Sequence, residues 1–267
     1  MTAVKDYSTT KKTLWVVGLG PGGSDSMTRE ASHVLQAAEV IVGYTTYIDM
    51  VKNEYPDKEF LSSGMTREIE RCAMALEKAA EGKITAMVCS GDPGIYGMAA
   101  PILELAPYFP QVNIRLVSGV TAAASGAALL GAPISNDFAV VSLSDRLTDW
   151  VVINRRLEAA AMGDFSIVIY NPGSRQRKNH LKLVCDVLLE HLEPDCVCGI
   201  TQNIGRIGES CELTTLKELS EKEVDMFTTV FIGASNTKNI DGKMVTPRGY
   251  LIDRKLCHAQ KPEGELN

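Results

Sequence analysis

The chain has 267 residues, of which 45% are hydrophobic and 22% charged, and its formal net charge is −6 at pH 7. A chain of this length forms one large domain or two of ordinary size and buries a core without disulfide bonds. The acidic total argues against a nucleic-acid-binding surface, and no apolar run is long enough to span a membrane. We therefore expect a protein that binds neither nucleic acid nor membrane.

The cysteines and the polar N-terminus indicate a compartment. The seven cysteines are scattered and odd in number, which favours reduced thiols over a disulfide framework. Cys196 and Cys198 are the one close pair, and no further ligand accompanies them at a recognisable spacing. We expect core thiols there and no metal site. Because the first residues give no targeting segment, the expected location is the cytoplasm.

The first half of the chain alternates short apolar runs with amphipathic helical periods. A helix is predicted from Met27 with Ser26 as its N-cap, and another from Thr66 with Ile69 and Cys72 on its buried face. This alternation predicts βαβ units on a parallel sheet. The predicted strands cover residues 14–19, 39–42, 84–89 and 114–117.

A second series of elements begins after a small-residue helix predicted at 121–130. The sequence therefore predicts an α/β fold with two α/β domains, 12–120 and 121–253, and loose tails at 1–11 and 254–267. The predicted strands of this half cover 138–143, 165–170, 196–201 and 228–232, and its further helices cover 149–161 and 178–191.

The first predicted strand ends in LWVVGLGPGG, in which Gly18, Gly20 and Gly23 have the spacing of the dinucleotide-binding fingerprint. That fingerprint places a helix N-terminus on a pyrophosphate, but Pro21 lacks an N–H group and the helical period begins several residues later. The second strand also lacks the acidic residue that would bind a ribose. An NAD site is therefore disfavoured, and an ordinary turn is the alternative when this loop is considered alone.

Four further strand ends carry comparable loops. Each of them alone is compatible with a turn, a helix cap or tight packing. In open α/β sheets the loops after the strands collect along one edge, where ligands bind. Five such loops predict one long cleft between the two halves. The four loops are SGDPGIYG at 90–97, SGVTAAASGAA at 118–128, YNPGSR at 170–175 and TQNIGR at 201–206.

Three motifs, GLGPGGSDSMT, SGDPGIYGMA and SGVTAAAS, resemble the tetrapyrrole (class III) S-adenosylmethionine methyltransferases of corrin and sirohaem synthesis. SSGMTREIERC, FAVVSLSDRLTDW and MVTPRGY are similar to the precorrin-3B C17-methyltransferase branch, which includes an anaerobic counterpart that acts on cobalt-factor III. The resemblance runs from about Thr13 to Tyr250. It implies two α/β domains with S-adenosylmethionine in the cleft between them, a homodimer, and C17 methylation with ring contraction in cobalamin biosynthesis.

The resemblance also implies cofactor contacts, motif by motif. Family members often carry GDA where this chain has Gly91-Asp92-Pro93, and Arg-Asn where it has Gln202-Asn203, and both changes keep the side-chain groups that the cofactor needs. The implied cofactor contacts are Pro21 of the first loop, Ser90, Gly91, Asp92 and Ile95 of the second, Thr121 and Ala122 of the third, and Asn171 and Asn203 of the last two.

The implied substrate is a macrocycle with several carboxylates, so its cleft should carry cations despite the acidic total. Ring contraction would benefit from proton transfer near the reacting carbons. Alternatively, the substrate's own acetate and lactone groups drive the contraction and the protein only holds it. The expected substrate contacts are Tyr44, Ser63, Arg146, Arg175 and Arg177, and the candidates for proton transfer are Asp145, Ser142 and Ser144.

Rival functions differ in what the cleft would bind. A sister precorrin methyltransferase would share the cofactor pocket and methylate another ring carbon. An oxidoreductase would bind NAD, and a scaffold would bind a tetrapyrrole without cofactor turnover. Methyl transfer by direct displacement requires neither a nucleophilic side chain nor a metal, and the sequence offers no triad pattern and no ligand cluster. The four histidines lie away from the glycine loops and are expected to be surface or packing residues.

Overall fold

The computed structural model describes residues 12–174 and 179–251 and has an α/β architecture. Within these residues the strands form two five-stranded sheets, one from each half of the chain, and a small three-stranded sheet. The predicted tails, as well as Arg175 and Arg177, lie outside the described residues.

All strands of the first sheet run parallel to their neighbours. Every residue of its strands β1 and β4 is buried, as expected for a sheet with both faces covered. In spatial order the strands are β3 (Glu59–Ser63), β2 (Val40–Tyr44), β4 (Thr85–Cys89), β1 (Thr13–Gly18) and β5 (Asn113–Val117).

Helices cover both faces of the first sheet. The residues of β1 alternate between two cores: Val17 packs with α1 and α2 on one face, and Val16 packs with α3 and α4 on the other. These helices are α1 (Arg29–Ala37), α2 (Thr45–Val51), α3 (Glu68–Ala80) and α4 (Ala99–Leu105).

The strand order of the first sheet reverses between β1 and β4. The chain runs outward from β1 to β2 and β3, then returns to place β4 and β5 on either side of β1. The loops that follow β1 and β4 therefore leave for opposite faces of the sheet and open a crevice between them, which is where open α/β sheets bind ligands.

The second sheet is mixed. Strands β7 and β8 are parallel, whereas β8, β11, β9 and β10 are successively antiparallel. The parallel sheet predicted for the first half of the chain is therefore present, whereas the second sheet, for which no strand direction was predicted from the sequence, is mostly antiparallel. In spatial order the strands are β10 (Ser210–Thr215), β9 (Val197–Gln202), β11 (Thr228–Ile232), β8 (Ser166–Tyr170) and β7 (Phe138–Ser142).

The two faces of the second sheet bury different helices. Helices α6, α7 and α8 pack on one face, and α5 packs on the other beside the small sheet. A Cβ atom on Gly126 of α5 would lie 2.9 Å from the ring of Phe231, which explains the small residues of this helix. The elements are α5 (Ala122–Leu130), α6 (Trp150–Met162), α7 (His180–Leu188), α8 (Leu216–Leu219), β6 (Gly131–Ala132), β12 (Lys238–Ile240) and β13 (Lys243–Val245).

Two local predictions are corrected by the structure. Thr28, not Ser26, caps α1: its hydroxyl accepts the N–H of Ala31 at 3.2 Å, while Ser26 lies in a short 3₁₀ turn. Ile69 of α3 is 57% exposed, and Arg71 is buried on the face where apolar residues were expected. A charged residue on the inner face is invisible to a prediction from hydrophobic period.

None of the helices within the described ranges combines the length and the hydropathy that crossing a lipid bilayer requires.

Candidate functional site

Loops that contain glycine are in backbone-to-backbone contact at the point where the strand order of the first sheet reverses. The N–H of Gly20 donates to the carbonyl of Gly91 at 3.1 Å, and the N–H of Gly91 donates back to the carbonyl of Gly20 at 2.8 Å. A Cβ atom on Gly119 would lie 2.1 Å from the Gly91 carbonyl oxygen, and one on Gly18 would lie 2.4 Å from it. Backbone occupies the space of a side chain here, so these positions require glycine.

Asp92 fastens two of these loops together. One of its carboxylate oxygens accepts the N–H of Gly94 at 2.8 Å, and the other accepts the N–H of Gly119 at 3.1 Å. Hydrogen bonds to an ionised acceptor are among the stronger ones in proteins. Asp92 therefore fixes the loop after β4 against the loop after β5.

Tyr170, the last residue of β8, provides a hydrogen-bond acceptor for the N-terminus of α5. Its hydroxyl accepts the N–H of Ala123 at 2.7 Å and is hydrogen-bonded to the hydroxyl of Thr121. Thr121 occupies the N-cap position without making a side-chain cap, so the phenol supplies the acceptor that a helix start needs. Burial raises the pKa of Tyr170 above its ordinary value, which keeps the phenol protonated at neutral pH.

Two asparagines turn the chain sharply at strand ends of the second sheet. Asn171 and Asn203 have φ values of 54° and 51°, a left-handed conformation that asparagine tolerates better than most residues. The side chain of Asn171 donates to the hydroxyl of Ser142 at 2.9 Å, and the backbone N–H of Asn203 donates to the carbonyl of Phe227 at 3.2 Å. These contacts fix the loops after β8 and β9.

Arg206 reaches from the second half of the chain to the first. Its Nε donates to the carbonyl of Pro21 at 3.1 Å, and its Nη2 donates to the hydroxyl of Ser90 at 3.2 Å. Its guanidinium lies 5.5 Å from the centre of the Phe227 ring, within cation–π distance. Arg206 thus connects the loop after β9 with the loops after β1 and β4.

These loops surround a cavity of about 160 Å³. Six of the predicted cofactor contacts line it: Pro21, Ser90, Gly91, Ala122, Asn171 and Asn203. The other three lie in the same loops without lining it: Asp92 and Thr121 are engaged in the contacts described above, and Ile95 is 39% exposed.

The cavity is also lined by residues that were not among the predicted cofactor contacts. Tyr47 of α2, Tyr170 and Arg206 line it, together with residues 226–229 before and within β11. The loop before β11 carries no glycine motif, so the pattern of glycine loops does not predict it as a wall of the site. Burial raises the pKa of Tyr47, so this ring also presents a neutral hydroxyl.

A second hollow of about 300 Å³ lies elsewhere, between α8 and the loop before β9. Its walls include Asp195, Lys217, Glu218 and Glu221, and none of the predicted cofactor or substrate contacts lines it. Its exposed, mostly charged walls do not converge on a buried polar group. The cavity between the glycine loops is therefore the candidate site.

The predicted substrate contacts fall into two groups. Tyr44 and Ser63 are the last residues of β2 and β3, paired in register at the same edge of the first sheet. The Tyr44 ring meets the ring of Tyr47 edge-on at 5.3 Å, so it adjoins the cavity wall. Arg146 is an exposed residue in the loop after β7.

The candidates for proton transfer follow β7. The hydroxyl of Ser142 accepts the N–H of Ser144 at 3.2 Å as well as the Asn171 amide. Asp145 is 41% exposed, and its carboxylate lies 3.7 Å from Nε2 of His180. None of these three candidates lines the cavity, but Ser142 touches Asn171, which does.

His180 packs as the sequence leads us to expect, but beside a candidate residue. Its ring lies 4.8 Å from the ring of Trp150, and its Nδ1 lies 3.4 Å from the carbonyl of Leu143. The neighbourhood of His180 and Asp145 was not foreseen, because the two residues lie on different elements and no local motif joins them.

The described cysteines are free thiols. Cys89 ends β4 below the site, and burial raises the pKa of its thiol to about 12, so it is not a nucleophile at neutral pH. The hydrogen bond from Cys198 lowers the pKa of Cys196 at the start of β9. Within residues 12–174 and 179–251, no three His, Cys, Asp or Glu side chains are grouped as metal ligands would be.

Known proteins that are similar in sequence to this chain have names from cobalamin biosynthesis. The chain is 46% identical over 240 residues to the probable cobalt-factor III C(17)-methyltransferase of Salmonella typhimurium, covering 90% of this chain and 100% of that protein. It is 41% identical over 251 residues to a protein of the same name from Methanocaldococcus jannaschii, covering 91% and 100%. A third relative, the cobalamin biosynthesis protein CbiHC of Archaeoglobus fulgidus, is 42% identical, and the match covers 94% of this chain but 55% of that protein.

Solved structures agree on the fold. The methyltransferase CobJ superposes with a TM-score of 0.82 at 32% identity, covering 88% of this chain and 99% of that one. The cobalt precorrin-4 methyltransferase CbiF has the same fold, with a TM-score of 0.68 at 21% identity over 86% of this chain and 98% of that one. The family model of tetrapyrrole (corrin/porphyrin) methylases matches residues 13–220. The chain therefore belongs to the tetrapyrrole methylase family.

Proposed function

We propose that this protein transfers the methyl group of S-adenosylmethionine to C17 of cobalt-factor III or precorrin-3B during cobalamin biosynthesis, with contraction of the ring. The observation that carries this proposal is the cavity at the meeting of five strand-end loops, in a chain 46% identical to a probable cobalt-factor III C(17)-methyltransferase. The relatives in the same branch support the choice of C17 over another ring carbon.

The residues around the cavity fit S-adenosylmethionine. Ser90, Gly91 and Ala122 line the cavity with small side chains that leave room for a ligand, and the amides of Asn171 and Asn203 carry both donors and acceptors. Arg206 is a cation for a carboxylate, and Tyr47 and Phe227 are flat rings for a base. When bound, S-adenosylmethionine supplies an electrophilic methyl group on a sulfonium ion.

The chain's own residues orient the reactants and exclude water. Alignment of nucleophile and methyl donor supplies most of the rate in a direct displacement, so fixed loops matter more than a reactive side chain. The Gly20–Gly91 bridge and the Asp92 carboxylate provide this rigidity. The cavity is smaller than the roughly 300–1,000 Å³ of typical ligand sites, and we therefore expect the Arg206 side chain, which lines it, to move when a ligand binds.

We assign the remaining predicted roles by position. Tyr44 and Ser63 hold the tetrapyrrole at the edge of the first sheet, with Arg146, Arg175 and Arg177 as further cations. Asp145, with Ser142 and Ser144, serves proton transfer in the contraction, or holds the substrate while its own acetate group drives that step. For the described residues, the support is their position at or just after the C-terminal ends of β2, β3 and β7; for Arg175 and Arg177 it is the sequence resemblance.

We also propose the molecular context. The division into two domains near residue 120 is supported by the two separate five-stranded sheets. A cytoplasmic location is supported by the cysteines, because those that the structure describes are free thiols. A homodimer is supported by the family resemblance. Sedimentation equilibrium of the purified protein tests the dimer.

The decisive experiment is a product assay. The purified protein is incubated with ¹³C-methyl S-adenosylmethionine and, separately, with cobalt-factor III and precorrin-3B. We expect one labelled methyl on C17 by NMR, an optical spectrum of a contracted ring, and a preference that identifies the natural substrate. A methyl on another carbon would support a sister enzyme, and tight binding of NAD without binding of S-adenosylhomocysteine would reject the proposal.

A further inference from the structure

Arg71 of α3 carries a charge that the described protein does not neutralise. Its side chain belongs to the buried face of the helix, and the residue is only 4% exposed. Nη1 donates to the hydroxyl of Ser63 at 2.8 Å and to the carbonyl of Gly64 at 3.2 Å. These acceptors are neutral. Among the residues that the structure describes, no carboxylate lies within 4.0 Å of the guanidinium.

A buried guanidinium without an anion is unfavourable, because desolvation removes its water and only part of that loss is returned by neutral acceptors. All the hydrogen bonds that the described residues make to this side chain go to Nη1. Nε and Nη2 make no hydrogen bond to a described residue, and neither atom is fully enclosed by protein. Both therefore keep some access to solvent. This half of the guanidinium fork has the geometry to bind one carboxylate.

Arg71 stands next to the predicted substrate contacts. Ser63 is its hydrogen-bond partner, and the ring of Tyr44 lies 6.0 Å from its Cζ atom. The Tyr44 ring contacts Tyr47, which lines the cavity. Because the Ser63 hydroxyl accepts from Arg71, its own proton remains available to a further acceptor.

We propose that Arg71 is the anchor for one peripheral carboxylate of the tetrapyrrole, with the Ser63 hydroxyl as its second donor. The inference rests on the proposed function and adds a subsite to it. The substrate carboxylate supplies the anion that the buried guanidinium lacks, and this fixes the rotation of the macrocycle relative to the methyl donor. Arg71 thereby selects which ring carbon is presented.

The test is optical titration of tetrapyrrole binding by the wild type, Arg71→Gln and Arg71→Lys, in parallel with S-adenosylhomocysteine titration. We expect Arg71→Gln to bind the tetrapyrrole about tenfold to a hundredfold more weakly, the range for a lost charge-assisted hydrogen bond. Arg71→Lys should recover part of this loss, because it keeps the charge but not the fork. S-adenosylhomocysteine affinity should change less than about threefold.

Lys78→Gln is the matched control, since Lys78 is a cation of the same helix that pairs on the surface with Glu81 at 2.9 Å. It should bind the tetrapyrrole as the wild type does. Substrates with single carboxylates converted to amides complete the test. One monoamide should bind the wild type weakly and should lose little more affinity in Arg71→Lys or Arg71→Gln, which is the signature of direct contact.

Wild-type affinity in Arg71→Gln, or equal losses for tetrapyrrole and S-adenosylhomocysteine, would overturn the inference. If neither substituted protein folds, the monoamides decide on the wild type alone: uniform affinity for all of them also overturns it. A wild type that binds S-adenosylhomocysteine but no tetrapyrrole rejects the proposed function and the inference together. A wild type that methylates C17 while Arg71 is dispensable rejects the inference only.

Discussion

At the scale of single residues, the site depends on side chains that complete the backbone hydrogen bonding of neighbouring elements. The Tyr170 phenol bonds to Ala123 and Thr121 at the start of α5. The sequence gives this tyrosine as part of YNPG but does not reveal its partner, because the two residues that it serves are almost fifty positions away.

Tyr170→Phe should lower the free energy of unfolding by about 1–2 kcal/mol, because the N–H of Ala123 loses its acceptor. Urea denaturation measures this loss. Tyr108→Phe, at a residue that is 79% exposed, is the control and should be neutral. Equal stability of the two variants would contradict the assigned contact.

The same phenol makes stability depend on pH at the alkaline end. Burial raises its pKa above the ordinary value of 10.0 in the folded state. Its contribution is therefore complete below pH 10.0 and declines as the pH rises through the higher folded pKa, since the unfolded chain ionises first. In Tyr170→Phe the free energy of unfolding should fall less steeply with pH above 10.0. The same slope in Tyr170→Phe and the wild type would contradict this prediction.

At the scale of elements, the prediction from sequence is good for strands and poor for interactions between them. Alternating apolar runs and helical periods located eight strands to within two residues at each end, and the strand at 228–232 with its observed bounds. They did not give the direction of β9 and β11, because a buried strand has the same composition whether it runs parallel or antiparallel. Strand β3 is half-exposed and was missed for lack of an apolar run.

Asp92→Asn should weaken S-adenosylhomocysteine binding about tenfold and destabilise the fold by about 1–3 kcal/mol. The amide retains one oxygen for Gly94 or Gly119 and turns an NH₂ group toward the other N–H. Calorimetric titration gives the affinity. Asp57→Asn is the control, because Asp57 is exposed in the turn before β3. Unchanged affinity in Asp92→Asn would show that the two loops hold their positions without the carboxylate.

At the scale of the whole molecule, the site is made by contacts between the two halves of the chain. Arg206 bonds to Pro21 and Ser90, and a Cβ atom on Gly22 would lie 2.7 Å from the carbonyl oxygen of Gly205. The sequence predicted a cleft and six of its lining residues from glycine loops and motif resemblance. The contact of Arg206 with the other half of the chain could not be predicted, because several basic residues lie near loop ends and only the folded structure shows which of them reaches Pro21 and Ser90.

Arg206→Met should uncouple the two halves during unfolding. The chain has two tryptophans, and they fall in different halves: Trp15 in β1 and Trp150 in α6. In backgrounds that keep one tryptophan, the two halves of the wild type should unfold in coincident urea transitions. Arg206→Met should separate the two transitions and lower the free energy of unfolding of the less stable half by about 1–3 kcal/mol. Arg155→Met, on the exposed face of α6, should leave them coincident. Coincident transitions in Arg206→Met would mean that other contacts hold the halves together.

The pairing of Gly22 with Gly205 has a consequence for biosynthesis of the protein itself. Chains leave the ribosome N-terminus first, and the first sheet is complete once residue 117 has emerged. The opposite wall, at residues 203–206 and 226–229, is translated much later. A nascent chain therefore lacks one wall of the crevice until these residues have been made, so the site can be complete only late in translation.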